Sequence, residues 1–74
     1  MRRPERLDYF YEEIKNLHKE HFPDWREGQF LINFLEWVTV KKKKDPFYLE
    51  TEEILMLLRD YIDVMKDWEI IKTK

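Results

Sequence analysis

Residues 23–37 read PDWREGQFLINFLEW, and the fold turns on how that run is read. At about 100° per residue, Phe30, Leu31, Phe34, Leu35, Trp37 and Val38 fill one broad apolar arc. Asp24, followed three residues later by Glu27, resembles a capping box with Asp in place of Ser or Thr. A helix is therefore expected over about residues 25–40. Its wide apolar face suits the middle helix of a small bundle, covered from two sides. Gly28 costs about 1 kcal/mol of helix propensity relative to Ala, which points to a backbone or ring approaching closely there. Arg26, Gln29, Asn33 and Glu36 lie within about 80° of one another on the same helix. Three readings are open for this stripe: a solvated face, a brace that hydrogen-bonds the following loop, or a surface for another protein. Amides both donate and accept, and Arg pairs carboxylates in a fork, so the residue types suit recognition.

The flanking segments are also helical in pattern. Leu7, Phe10, Tyr11, Ile14, Leu17, His18 and His21 recur at helical spacing. Pro4 suits a first turn, and Pro23 forces Phe22 out of the helical region, giving a first helix over about 4–20. Thr51 is a candidate N-cap, and Glu52 and Glu53 suit the positive end of a helix dipole. The stripe Ile54, Leu55, Leu58, Tyr61, Ile62, Met65 and Trp68 then marks a third helix over about 52–67. Between the second and third helices, VKKKKDPFYLE reads as a loop, with Phe47, Tyr48 and Leu49 folding back over one end of the core. A rival reading pairs VTV and FYL, within residues 38–49, as a short hairpin, which is poorly stable alone. The expected architecture is all-α: one small three-helix domain, residues 1–74, with a Lys-rich loop before the third helix.

Composition narrows the chemistry. A chain of 74 residues buries only roughly 60% of its unfolded surface. Three Trp, four Tyr and five Phe supply bulk in place of disulfides or metals. There is no Cys, hence no disulfide or thiolate chemistry, and no Ser. Ala is absent as well, so helices approach closely only at Gly28. The carboxylates are spaced as helix surfaces rather than as a convergent acid–base pair; neither an enzyme nor a cofactor is expected. His18 and His21 in HKEH, beside Glu20 and Asp24, make two candidate metal ligands without an obvious third. His18 is instead expected at the core edge, and His21 near a helix C-terminus. No signal-peptide core or membrane-spanning run is evident, and a cytoplasmic protein with no membrane partner is expected.

Net charge is −2, but residues 1–44 hold ten Lys/Arg against eight Asp/Glu, and residues 45–74 hold four against eight. The basic pieces are Arg2, Arg3 and Arg6, and the run Lys41, Lys42, Lys43 and Lys44, which is a solvated loop or a set of phosphate contacts.

PDWREGQFLINFLEW followed by DPFYLETEEI resembles a pattern in small proteins of Gram-positive bacteria and their phages: R-x-G-Q-x-x-x-N, then D-x-F-Y and an acidic helix start. Arg26, Gly28, Gln29, Asn33, Asp45, Phe47 and Tyr48 are the matching positions, within residues 23–62. The resemblance implies that the second helix and the DPFY loop belong together, and attaches no activity. The leading expectation is a protein–protein interaction module of phage or mobile-element origin. Its partner-binding residues would be Arg26, Gln29, Asn33 and Trp37, with Trp25 a further aromatic anchor. The alternative is a nucleic-acid-binding accessory protein using the basic N-terminus and Lys41–Lys44. Self-association as a weak homodimer through Ile32, Val40, Ile70 and Ile71 is a third expectation beside a monomer.

Overall fold

The structure, a computed structural model, describes the backbone of residues 2–73 and the side chains of residues 2–66. Helix α1 spans Arg6–His21, α2 spans Glu27–Lys41, a 3-10 turn spans Pro46–Tyr48, and α3 spans Thr51–Thr73. The chain is all-α, a three-helix domain without a strand among the described residues. The hairpin alternative fails because Val38–Val40 continue α2 and Pro46–Tyr48 form the 3-10 turn. The third helix runs beyond the expected residue 67. Trp68, Ile70 and Ile71, expected in the core stripe or a self-association patch, have side chains outside the described residues.

The helix ends follow local chemistry, with two departures from expectation. Before Pro23, Phe22 leaves the helical region (φ −136°, ψ 53°), and its amide donates to the His18 carbonyl at 2.9 Å. The capping box at Asp24 does not form. Its residue is used in a turn in which the Trp25 amide donates to the Phe22 carbonyl at 3.0 Å, and α2 starts at Glu27 after an extended Arg26. Nor is Thr51 the cap of α3. The Glu50 carbonyl accepts from the Ile54 amide at 3.0 Å, and the Glu53 carboxylate accepts from the Glu50 amide at 3.2 Å. That is the reciprocal half of a capping box, one residue earlier.

The core is built from Phe22, Phe30, Phe34, Val38, Leu55, Leu58, Tyr61 and Ile62. No α1 residue is fully buried. The middle helix is α3, not α2: α3 packs on both α1 and α2, whose contact with each other is smaller. The face of α2 toward α3 is covered, and the 3-10 turn touches a second flank. Ile32 and Val40 remain 59% and 65% exposed, and Leu31 and Leu35 are also exposed. Phe47 and Tyr48 do not cover the core as expected; they are 84% and 76% exposed, and Leu49 alone of that trio packs inward. The reason is the 3-10 turn. The Asp45 carboxylate accepts from the Phe47 amide at 3.0 Å, and this closed turn points both rings outward.

A Cβ added at Gly28 meets nothing within 4 Å and the residue has no positive φ, so the expected close approach is absent. Gly28→Ala should stabilise the domain by about 1 kcal/mol in urea or guanidinium unfolding. Beyond α2, Lys43 holds a left-handed backbone (φ 56°) while the Val38 carbonyl accepts from the Lys42 and Lys44 amides at 3.2 and 3.4 Å. Because a Cβ is disfavoured there, Lys43→Gly should raise stability by about 0.5–1 kcal/mol by the same measurement.

Candidate functional site

The turn between α1 and α2 is built from rings. The His18 Nε2–H donates to the Trp25 carbonyl at 2.8 Å, in the tautomer this geometry requires, and its imidazole stacks on Phe30 at 4.5 Å. Phe22 stacks on Trp25 at 4.4 Å and leans on Phe30 and Tyr61 at 5.8 and 6.1 Å. His18 thus sits at the core edge, as its sequence position suggests, and its Nε2 is committed to the backbone. His21 lies 3.9 Å from Glu20. Among the described residues no group of three His, Asp or Glu stands close enough to hold a metal ion.

The polar stripe lies on a flank of α2. Arg26, Gln29, Asn33 and Glu36 are all exposed. None of their side chains hydrogen-bonds to the lysine loop among the described residues, so the brace reading is not supported. The 3-10 turn docks on the other flank of α2, beside Leu31 and Leu35. Asn33, Glu36 and Trp37 do come together. With Trp25, Val40, Lys41, Tyr61 and Met65 they line an open groove of about 430 Å³. Trp37 and Tyr61 form a corner, with ring centroids 5.3 Å apart and planes 58° from parallel. Tyr61 is nearly buried, and desolvation raises its phenol pKa above the usual value. Arg26 and Gln29 lie outside this groove.

A second groove was not visible as a motif. It has a volume of about 420 Å³ and runs between α1 and α2. Phe10, Tyr11 and Ile14 form one wall, Leu31 and Leu35 the other, Phe34 and Ile54 the floor, and Pro46 and Phe47 one end. Every lining residue is apolar or aromatic. The signal that could have found it is the excess of apolar residues on α2, more than a single covering helix needs.

The lysine run divides by position. Lys41 ends α2 and lines the stripe-side groove. The Lys42 ammonium stands 5.4 Å from the Trp37 ring centroid, a cation–π distance. Lys43 and Lys44 are exposed on the connection. Chain direction brings this run to the end of the domain that carries Arg2, Arg3 and Arg6. There, Arg2 Nε donates to Glu50 at 2.8 Å and a second guanidinium nitrogen reaches the other carboxylate oxygen. Arg6 donates to the Arg3 carbonyl at 2.9 Å. Hydrogen bonding to Arg2 lowers the Glu50 pKa below the ordinary carboxylate value. The pair therefore acts above the ordinary carboxylate range and is lost as pH falls through the lowered pKa. On the opposite side, Arg59 donates to Glu13 at 3.0 Å and ties α3 to α1.

Comparison of the chain with protein-family models, curated proteins and solved structures finds no match. Among the described residues no helix is long and apolar enough to cross a membrane.

If the ring-built turn holds the two outer helices, His18→Ala should destabilise the fold by about 1–3 kcal/mol, since it strands a part-buried carbonyl and removes the ring on Phe30. Thermal or denaturant unfolding of the folded variant measures this directly.

Proposed function

We propose that the chain is a small helical protein–protein interaction module. The observation that carries the reading is the open apolar groove between α1 and α2, rimmed by the exposed rings of Tyr11 and Phe47. Contiguous exposed apolar surface on a small protein marks interaction sites more often than chance decoration. Grooves between helices are common places for a partner segment to dock. The Trp25, Asn33 and Trp37 groove on the other flank of α2 supplies a second contact surface, with Arg26 and Gln29 on the same stripe outside the groove; Trp and Arg are favoured where binding energy concentrates.

One observation favours a nucleic-acid-binding accessory role as the second reading: the topology gathers the N-terminal arginines and Lys41–Lys44 at one end. Arg2 is paired with Glu50, which leaves Arg3, Arg6 and the lysine run as the phosphate contacts.

Capture from a lysate, with and without nuclease, by the natural chain and by Phe47→Ala separates the two. Phe47 is so exposed that its truncation should change stability by no more than about 0.5 kcal/mol. A protein retained after nuclease by the natural chain, and lost by the folded variant, is the expected outcome. Release by nuclease, with binding that falls steeply between about 50 and 200 mM salt, would transfer the function to nucleic acid.

A further inference from the structure

Helix α1 is thinly covered. None of its residues is fully buried, and Phe10 and Ile14, on the wall of the groove, are half-buried. Small domains complete such cores with disulfides, metals or oligomerisation, and the first is closed to a chain without Cys. The uncovered surface is also contiguous. Tyr11, Leu31, Leu35 and Phe47 line the groove, the Tyr48 ring stands edge-on to Phe47 at 5.0 Å, and Ile32 shares a shallow hollow with Leu35. Tyr11, Phe47 and Tyr48 are 62%, 84% and 76% exposed, so these rings alone offer roughly 450 Å². A stable interface buries about 800 Å² on each partner, and incidental contacts mostly under about 400 Å². The rings exceed the second figure, and the exposed parts of Leu31, Ile32 and Leu35 carry the face toward the first.

We propose that a second copy of this chain covers this face in a symmetric dimer, which rests on the interaction-module reading and gives the module its partner. Identical copies carry identical charges, so a face that meets itself must be free of a single-sign field. No groove residue is charged. The exposed charges around the face are of both signs, Asp8, Glu36 and Asp45 against Lys15, Lys43 and Lys44. Phe47 closes one end of the groove. A two-fold axis beside it lays the Phe47–Tyr48 turn of each copy along Tyr11, Leu31 and Leu35 of the other, ring into hollow in both directions. The Asp45 carboxylate accepts from the Phe47 amide and so sets the shape of the turn before pairing. Pairing also covers Phe10 and Ile14 and thereby stabilises α1, whereas the gap stands open in the monomer.

Sedimentation equilibrium of the full chain, over about 1–500 µM and at about 50 and 500 mM salt, reads the association directly. The mass should rise from one chain to two with a midpoint in the micromolar range, and high salt should not loosen the pair, because its contacts are apolar. Tm should rise with protein concentration over the same range. Phe47→Asp should weaken pairing about a hundredfold or more, and so should Tyr11→Asp on the α1 wall. Both side chains are exposed in the monomer, so circular dichroism of the dilute variants should show the natural fold. Met56→Asp, exposed on α3 and outside the groove, should leave pairing unchanged. A natural chain that stays monomeric at the highest concentration, or Phe47→Asp and Tyr11→Asp variants that pair as tightly as it does, would overturn the dimer. If the natural chain stays monomeric yet captures a foreign protein from lysate through Phe47, the dimer falls and the interaction module stands. Neither pairing nor capture would remove both.

Discussion

The divergence of the two outer helices depends on one turn, Phe22–Arg26, and above all on the hydrogen bond from His18 to the Trp25 carbonyl. That bond satisfies a carbonyl no helix can pair, and it lays the imidazole on Phe30. Phe22 is then enclosed among Trp25, Phe30 and Tyr61, so the vertex of the α1–α2 hairpin is seated on α3. Rings of this size hold helix axes apart. The chain offers no Ala, and Gly28 stands in open space rather than at a crossing. The outer helices consequently lean on α3 and leave a gap between themselves.

The gap explains the unusual character of α2. From Phe30 to Val40 its only charge is Glu36. Such a helix would normally be covered on several sides, yet only Phe30, Phe34 and Val38 are buried. Ile32 is exposed outside both grooves, and the other apolar residues divide between two flanks. Leu31 and Leu35 face the apolar groove, and Trp37 and Val40 face the groove shared with Asn33 and Tyr61. Folding and the proposed binding therefore draw on the same helix. The face toward α3 stabilises the domain, and the two flanks carry the grooves.

Much of this was legible in the sequence. Period and proline placement marked three helices and the end of α1, because Pro23 acts through sterics on Phe22 alone. His18 at the core edge followed from its place on the apolar stripe. Other features depended on tertiary geometry that periodicity does not encode. The breadth of the α2 arc suggested a middle helix covered from two sides, whereas α3 holds that place and Leu31, Ile32 and Val40 stay exposed. Asp24 had the right spacing for a cap, but the His18–Trp25 bond draws that segment into a turn. Gly28 looked like a crossing point because glycine is costly in a helix, and the structure assigns it no packing role. Phe47 and Tyr48 looked like a lid because aromatic residues usually bury, but the Asp45 turn directs them outward. Asn33 and Trp37 do share a groove, whereas Arg26 and Gln29, on the same stripe, stand outside it.

The central claim is that the space between α1 and α2 is open in the free protein. Methyl NMR with a soluble paramagnetic probe tests it most directly. Strong broadening of the Ile14, Leu31 and Leu35 methyls is expected in the monomer, with little at Leu55 and Leu58, and no nuclear Overhauser contacts between Ile14 and Leu31 or Leu35. Protection of all five residues to the same degree, with clear contacts between Ile14 and the two leucines of α2, would contradict it, because the outer helices would then be closed on each other.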